Sequence, residues 1–116
     1  RYLLYYVTFQ QDASLNGTWL LDLTAKSPAP QKLGWFGTYR WRDAEHIIYV
    51  PFDPAAAEHS FFEYNVTSGQ SRELFPDGTG LTIANNDWRI SPDGSKIALV
   101  AANGPALNGI WVLELK

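Results

Sequence analysis

The sequence contains no cysteine and no methionine, only two histidines, and few charged residues for its length. Each shortage excludes something. Without cysteine there is no disulfide framework, no thiol nucleophile and no zinc or iron–sulfur site built on thiolates. No apolar run approaches the roughly 20 residues of a membrane-spanning helix, so no membrane insertion is expected. The net charge of −3 and pI near 5.2 leave no basic footprint for a nucleic-acid partner. Helical periodicity is nearly missing as well.

What is present is apolar and aromatic. Hydrophobic residues make up 46% of the 116 positions, with five Trp, six Tyr and six Phe, which argues against disorder. The length alone suits one compact domain. The chain starts at Arg1, without initiator Met or signal peptide, and this suggests an excised or processed segment.

Short runs of β-branched, aromatic and Leu residues recur between Gly, Pro, Asn and Asp, the pattern of strands separated by turns. These runs predict strands at Tyr2–Phe9, Thr18–Leu23, Gln31–Leu33, Gly37–Arg42, Ile47–Phe52, Phe61–Thr67, Ser71–Phe75, Asp87–Ser91, Ile97–Ala101 and Ile110–Leu115. The single helical hint is Asp53 to His59, where Asp53 could cap a turn or two that begins at Pro54.

Internal repetition decides among all-β architectures. LNGTWLLDL from Leu15 returns as LNGIWVLEL from Leu107, and a middle copy, FFEYNV, begins at Phe61. The preceding strand repeats on nearly the same schedule, as Leu4–Val7, Ile47–Val50 and Ile97–Val100. A period of about 43–50 residues with four strands per unit is the signature of propeller blades. Trp19 and Trp111 are the repeated aromatics, and their strands are apolar on both faces, as strands lying between two neighbouring sheets must be.

The stretch from Asn85 to Lys116 carries Trp88, Ile90, Ser91-Pro92-Asp93-Gly94, Lys96, Ile97–Val100 and Ile110–Glu114 in that order. It resembles the TolB-like, WD-like β-propeller repeat. The middle unit replaces the Ser-Pro-Asp-Gly turn with Arg42-Asp43-Ala44, and the first unit lacks the turn and the inner strand. The resemblance implies an all-β fold of antiparallel four-stranded blades, commonly in six-bladed rings, and a periplasmic or extracellular location. The local reading of Ser91, Pro92, Asp93 and Gly94 is structural: Pro presets φ, Asp accepts backbone bonds and Gly permits positive φ.

With strands labelled a to d from inside to outside, the chain reads b-c-d, a-b-c-d, a-b-c, in units of approximately 1–34, 35–76 and 77–116. Two and a half blades cannot close a ring. The expected partners are therefore other propeller blades, from the rest of a parent chain or by self-association, and a protein bound by them.

Few residues suggest chemistry. His46 and His59 lie in no metal-ligand spacing and read as exposed loop residues. No serine sits in a GxSxG elbow, and Asp77-Gly78-Thr79-Gly80 lacks the strand-to-helix context of a phosphate loop. Asp22, Asn65 and Glu114 share a repeated position, where bonds to nearby backbone or basic groups are expected. Asn16-Gly17-Thr18 and Asn65-Val66-Thr67 fit the glycosylation sequon but read as turn residues. The candidate ligand-binding pair is Arg40 with Arg89, equivalent positions on two inner strands that would face the channel, where two guanidinium groups could hold a carboxylate or phosphate. The competing reading stacks them on Trp88 and Trp41 or pairs them with Asp43 and Asp87.

No catalytic residue, metal or cofactor is expected, and the function read from the sequence is a non-catalytic propeller scaffold for protein or ligand contacts. The alternative is part of the propeller of a prolyl-oligopeptidase-type serine peptidase whose catalytic domain lies outside this chain. A polysaccharide lyase-type propeller would call for metal-ligand histidines that the sequence lacks.

Overall fold

The computed structural model describes residues 1–102 and 109–115. It is all-β: no α-helix occurs among the described residues, and one 3₁₀ turn spans Ala13–Leu15. Ten strands follow in order: β1 (Tyr2–Val7), β2 (Gly17–Asp22), β3 (Gln31–Lys32), β4 (Gly37–Trp41), β5 (His46–Pro51), β6 (Phe62–Asn65), β7 (Gln70–Glu73), β8 (Ile83–Ile90), β9 (Lys96–Ala101) and β10 (Gly109–Glu114). They form three sheets of consecutive strands, β1-β2-β3, β4-β5-β6-β7 and β8-β9-β10, with antiparallel pairing. The chain divides into two compact units, Arg1–Gly37 and Thr38–Lys116. The segment from Asp53 forms a single turn, in which Asp53 accepts from the Ala55 and Ala56 N–H groups.

The first unit is the β1–β3 sheet. Leu4 opposes Leu20 on one face, and Tyr5 opposes Trp19 on the other. Leu4 and Leu20 are buried, whereas Trp19 is half-buried and donates its indole N–H to the Leu15 carbonyl at 2.8 Å. The Tyr6 ring meets Phe36 edge-on, with centroids 5.6 Å apart.

In the second unit the β8–β10 sheet packs on the β4–β7 sheet. One cluster unites Ile48, Val50 and Phe61 with Ile83, Trp88, Ile97, Leu99 and Ala101, and Leu113 and Leu115 pack at its margin. Phe61 and Trp88, each only 1% exposed, meet edge to face with centroids 5.5 Å apart. Ile47 and Tyr49, on the other side of β5, are buried too, so that strand is covered on both faces. Its uninterrupted apolar sequence reflects this.

The repeat holds at the level of strand register between the second and third sheets. Tyr49 opposes Phe62, and Leu99 opposes Trp111, positions related by 50 and 49 residues. In the first sheet the same alignment would set Tyr6 against Trp19, but Trp19 faces Tyr5. A one-residue slip moves a side chain to the other face. Trp19 consequently lies opposite the buried Leu4 and Leu20, while Trp111 shares the face of buried Ile97 and Leu99. Leu107 and Asn108, which open the last repeated motif, lie outside the described residues.

Strand β8 begins four residues before the Asp87 start that alternation predicts. The reason is a bulge: Ile83 pairs with Ala101 and Trp88 with Leu99, so five steps on β8 span two on β9. Asn85 and Asn86, with φ of 54° and 55°, lie inside it. Asn tolerates the left-handed region better than most residues, and an irregular stretch of this kind hides a strand from period-two alternation.

Candidate functional site

Arg40 and Arg89 occupy corresponding places on β4 and β8, each the first strand of its sheet, and they behave alike locally. Each donates from a guanidinium nitrogen to the carbonyl of the residue before it, Arg40 to Tyr39 at 2.7 Å and Arg89 to Trp88 at 2.8 Å. They differ in what else they meet. The Arg40 guanidinium lies 5.1 Å from the centroid of the Trp88 ring, whose indole N–H is 3.2 Å from the Thr38 hydroxyl. Thr38 and Arg40, two residues apart on β4, thus both engage Trp88. Arg89 is exposed and meets no ring among the described residues. Neither arginine has a carboxylate partner among them.

The Ser91–Gly94 turn is held by its aspartate. Asp93 accepts from the Ser91 hydroxyl at 2.7 Å and from the Ser95 N–H and hydroxyl at 3.0 and 2.7 Å. These donors bring its carboxyl down from 3.8 to about 2. Gly94, at φ +73°, donates to the Ser91 carbonyl. In the preceding sheet Asp43 does the same job: it accepts from the Glu45 and His46 N–H groups and from the His46 ring. Burial pushes Asp43 up, but those donors outweigh it and its carboxyl sits below the usual range. Replacing the Ser-Pro-Asp-Gly sequence by Arg42-Asp43-Ala44 therefore keeps the carboxylate-capped turn. Asp22 and Asn65 cap the next turns in the same manner, through Thr24 and through the Thr67 and Ser68 N–H groups.

Sequence reasoning missed the most buried ionic group. Glu63 on β6 accepts from Arg42 and, at 2.9 Å, from Arg72 on β7. Its side chain is only 9% exposed. Burial raises its carboxyl, and the two guanidinium groups more than reverse that, so it remains ionised below the ordinary carboxylate range. Arg42 also donates to the Gly94 carbonyl at 2.8 Å, which ties the β4–β5 turn to the β8–β9 turn. Glu63 and Arg72 are register partners; folding the chain about the Thr67-Ser68 turn would have paired them on paper. The Arg42 contact, 21 residues away, had no sequence signal.

These groups line an open cleft of about 360 Å³ with Asp43, His46 and Asp93. His46 is half-buried, not an exposed loop residue: its Nδ1 meets Asp43 at 2.8 Å and its Nε2 lies 3.2 Å from the Asn65 amide nitrogen. The arrangement puts the proton on Nδ1 and leaves Nε2 to accept from Asn65. No serine hydroxyl is bonded to His46 among the described residues. His59 is likewise half-buried, and its Nδ1 accepts the Ile83 N–H at 2.7 Å. Glu58 beside it accepts the Gly80 N–H; together they fasten the Ala-rich loop to the segment from Gly80 to Ile83. No group of three or more His, Asp or Glu side chains is placed to hold a metal ion among the described residues.

Of the two sequons, Asn65 is engaged by its own turn, and Asn16 accepts the Gln10 N–H at 3.0 Å. Trp111 lies opposite the buried Leu99 on edge strand β10 and is 39% exposed. Comparison with protein-family models, with curated proteins and with solved structures finds no match.

Proposed function

We propose that this chain is an arc of a TolB-like β-propeller and works as a non-catalytic scaffold for protein or ligand contacts. The observation that carries the reading is the grouping of strands into successive antiparallel sheets of three, four and three, in chain order. That grouping is what units reading b-c-d, a-b-c-d and a-b-c require. The shared register of the second and third sheets and their carboxylate-capped turns support it further.

A scaffold needs rigid strands and an exposed contact surface. The ionic cleft favours the structural side of this reading, because Glu63, Arg42, Asp43 and His46 are each spent on one another or on backbone. The exposed apolar residues of β10, Ile110 and Val112 at 77% and 58%, supply a surface. Arg89 is its adjoining polar group.

Light scattering of the purified chain tests the reading. Association that rises with concentration is expected, and a monodisperse monomer throughout would contradict it. Hydrolysis of peptides or esters, or cleavage of pectic oligomers, by the chain alone would overturn its non-catalytic half.

A further inference from the structure

The interface between the second and third sheets shows what the outer face of the third is built to meet. On the β4–β7 sheet, Ile48, Val50 and Phe61 are covered by its neighbour, and Glu63 beside them is buried under Arg42 and Arg72. Positions 49 or 50 residues later are Ala98, Val100, Ile110 and Val112. Those residues share one face of the β8–β10 sheet, since Ile110 opposes Val100 and Val112 opposes Ala98, while Trp111 and Leu113 turn toward the core. They form the same patch one repeat on, with Ala98, Ile110 and Val112 exposed and Val100 half-buried. Arg40 borders the first patch, and Arg89, opposite Ala98 on β8, borders the second.

The polar edge of the patch carries the specific information. Arg40 takes the ring of Trp88 from the sheet that covers its own. Arg89 has the same bond to its preceding carbonyl and, among the described residues, no carboxylate partner, not even Asp87 two residues earlier. A guanidinium so placed is preorganised for the face of an aromatic ring. Repeats stacked in series reuse one interface from neighbour to neighbour.

We propose that the outer face of the β8–β10 sheet seats one further sheet of the same repeat, whose innermost strand lays an aromatic ring over the Arg89 guanidinium. This rests on the propeller reading and names the chemistry of its next contact. The covering sheet is apolar opposite Ala98, Val100, Ile110 and Val112, and the chain leading into it supplies the outer strand that pairs with the open edge of β10.

The test lengthens the full chain by one repeat, with residues 66–116 repeated directly after Glu114 to keep the phase. The added segment contains an outer strand equivalent to β7 and a second copy of β8–β10, whose Trp88 is then placed to meet the original Arg89. Urea midpoints are compared for Arg89→Ala in the original repeat, with Arg40→Ala as the standard, in the original and lengthened chains. In the original chain Arg89→Ala should leave the midpoint unchanged. In the lengthened chain it should lower the midpoint about as far as Arg40→Ala does. If the lengthened chain gains strand signal in circular dichroism and unfolds in one transition, yet Arg89→Ala stays silent, the ring contact is wrong and the propeller reading survives. If the added segment gains no strand structure, the propeller reading fails and the inference falls with it.

Discussion

The guanidinium of Arg40 rests against the ring of Trp88, 48 residues further along the chain and 5.1 Å from its centroid. One strand's single cation is thus fixed by the buried aromatic of another. A half-buried cation–π contact contributes about 1–2 kcal/mol. Arg40→Ala should cost about that much in urea unfolding, and Arg40→Lys should recover only part, because the planar group is lost.

Removing the ring itself should cost more. Trp88 fills the centre of the second unit's core, and Trp88→Ala is expected to cost about 3–5 kcal/mol by leaving a cavity. Thermal unfolding followed by circular dichroism checks this without relying on the lost indole fluorescence.

Glu63 lies between Arg42 and Arg72. Glu63→Ala leaves the nearly buried Arg42 without its anion, and breaking such a pair costs about 3–5 kcal/mol. The expected pH dependence follows from the depressed carboxyl. Its folded pKa lies below the ordinary 4.5, so its contribution is complete above that value and disappears as pH falls through the folded value. Urea midpoints at a series of pH values from 6 downward should fall below pH about 4.5, and the fall should be shallower in Glu63→Gln.

Asp93 gives a second acid-side dependence. Its carboxyl titrates near 2 in the folded chain against 3.8 ordinarily. The stability it contributes is present above 3.8 and is lost between there and about 2. Asp93→Ala should lower the melting temperature at neutral pH and flatten the melting-temperature profile across that interval. An unchanged profile would remove Asp93 from its assigned role in the turn.

Two glycines of the 77–80 stretch should respond differently. Gly78, at φ +84°, lies against Glu58, whose carboxylate occupies the place an added Cβ would take. Gly80, at φ +69°, has open space there. Both alanine substitutions incur the backbone penalty of roughly 1 kcal/mol, and Gly78→Ala should be distinctly worse in the same urea assay because Glu58 must also move.

Much of the chain's organisation was legible because its causes are local. Alternation over a few residues and Gly, Pro, Asp and Asn in the turns located ten strands, most to within two residues. The exceptions are equally physical. Asn85 and Asn86 broke the alternation at the start of β8. The connection before β2 shifted Trp19 onto the face opposite Leu4. His46 and His59 read as exposed because their partners, Asn65 and Ile83, lie 19 and 24 residues away; His59 does lie in a loop, but half-buried.

The absence of extended helical periodicity, together with the repeat and the Asp residues in its turns, determined an all-β chain with carboxylate-capped turns. Those properties need only neighbours within a turn or a hairpin. Tertiary structure decided which side of each strand is covered, because one residue of register reverses every side chain. It also decided that Glu63 holds two arginines, and that Arg40 finds a ring while Arg89, its counterpart, lies exposed. Such pairings depend on how one sheet lies on the next, and no spacing along the chain encodes that.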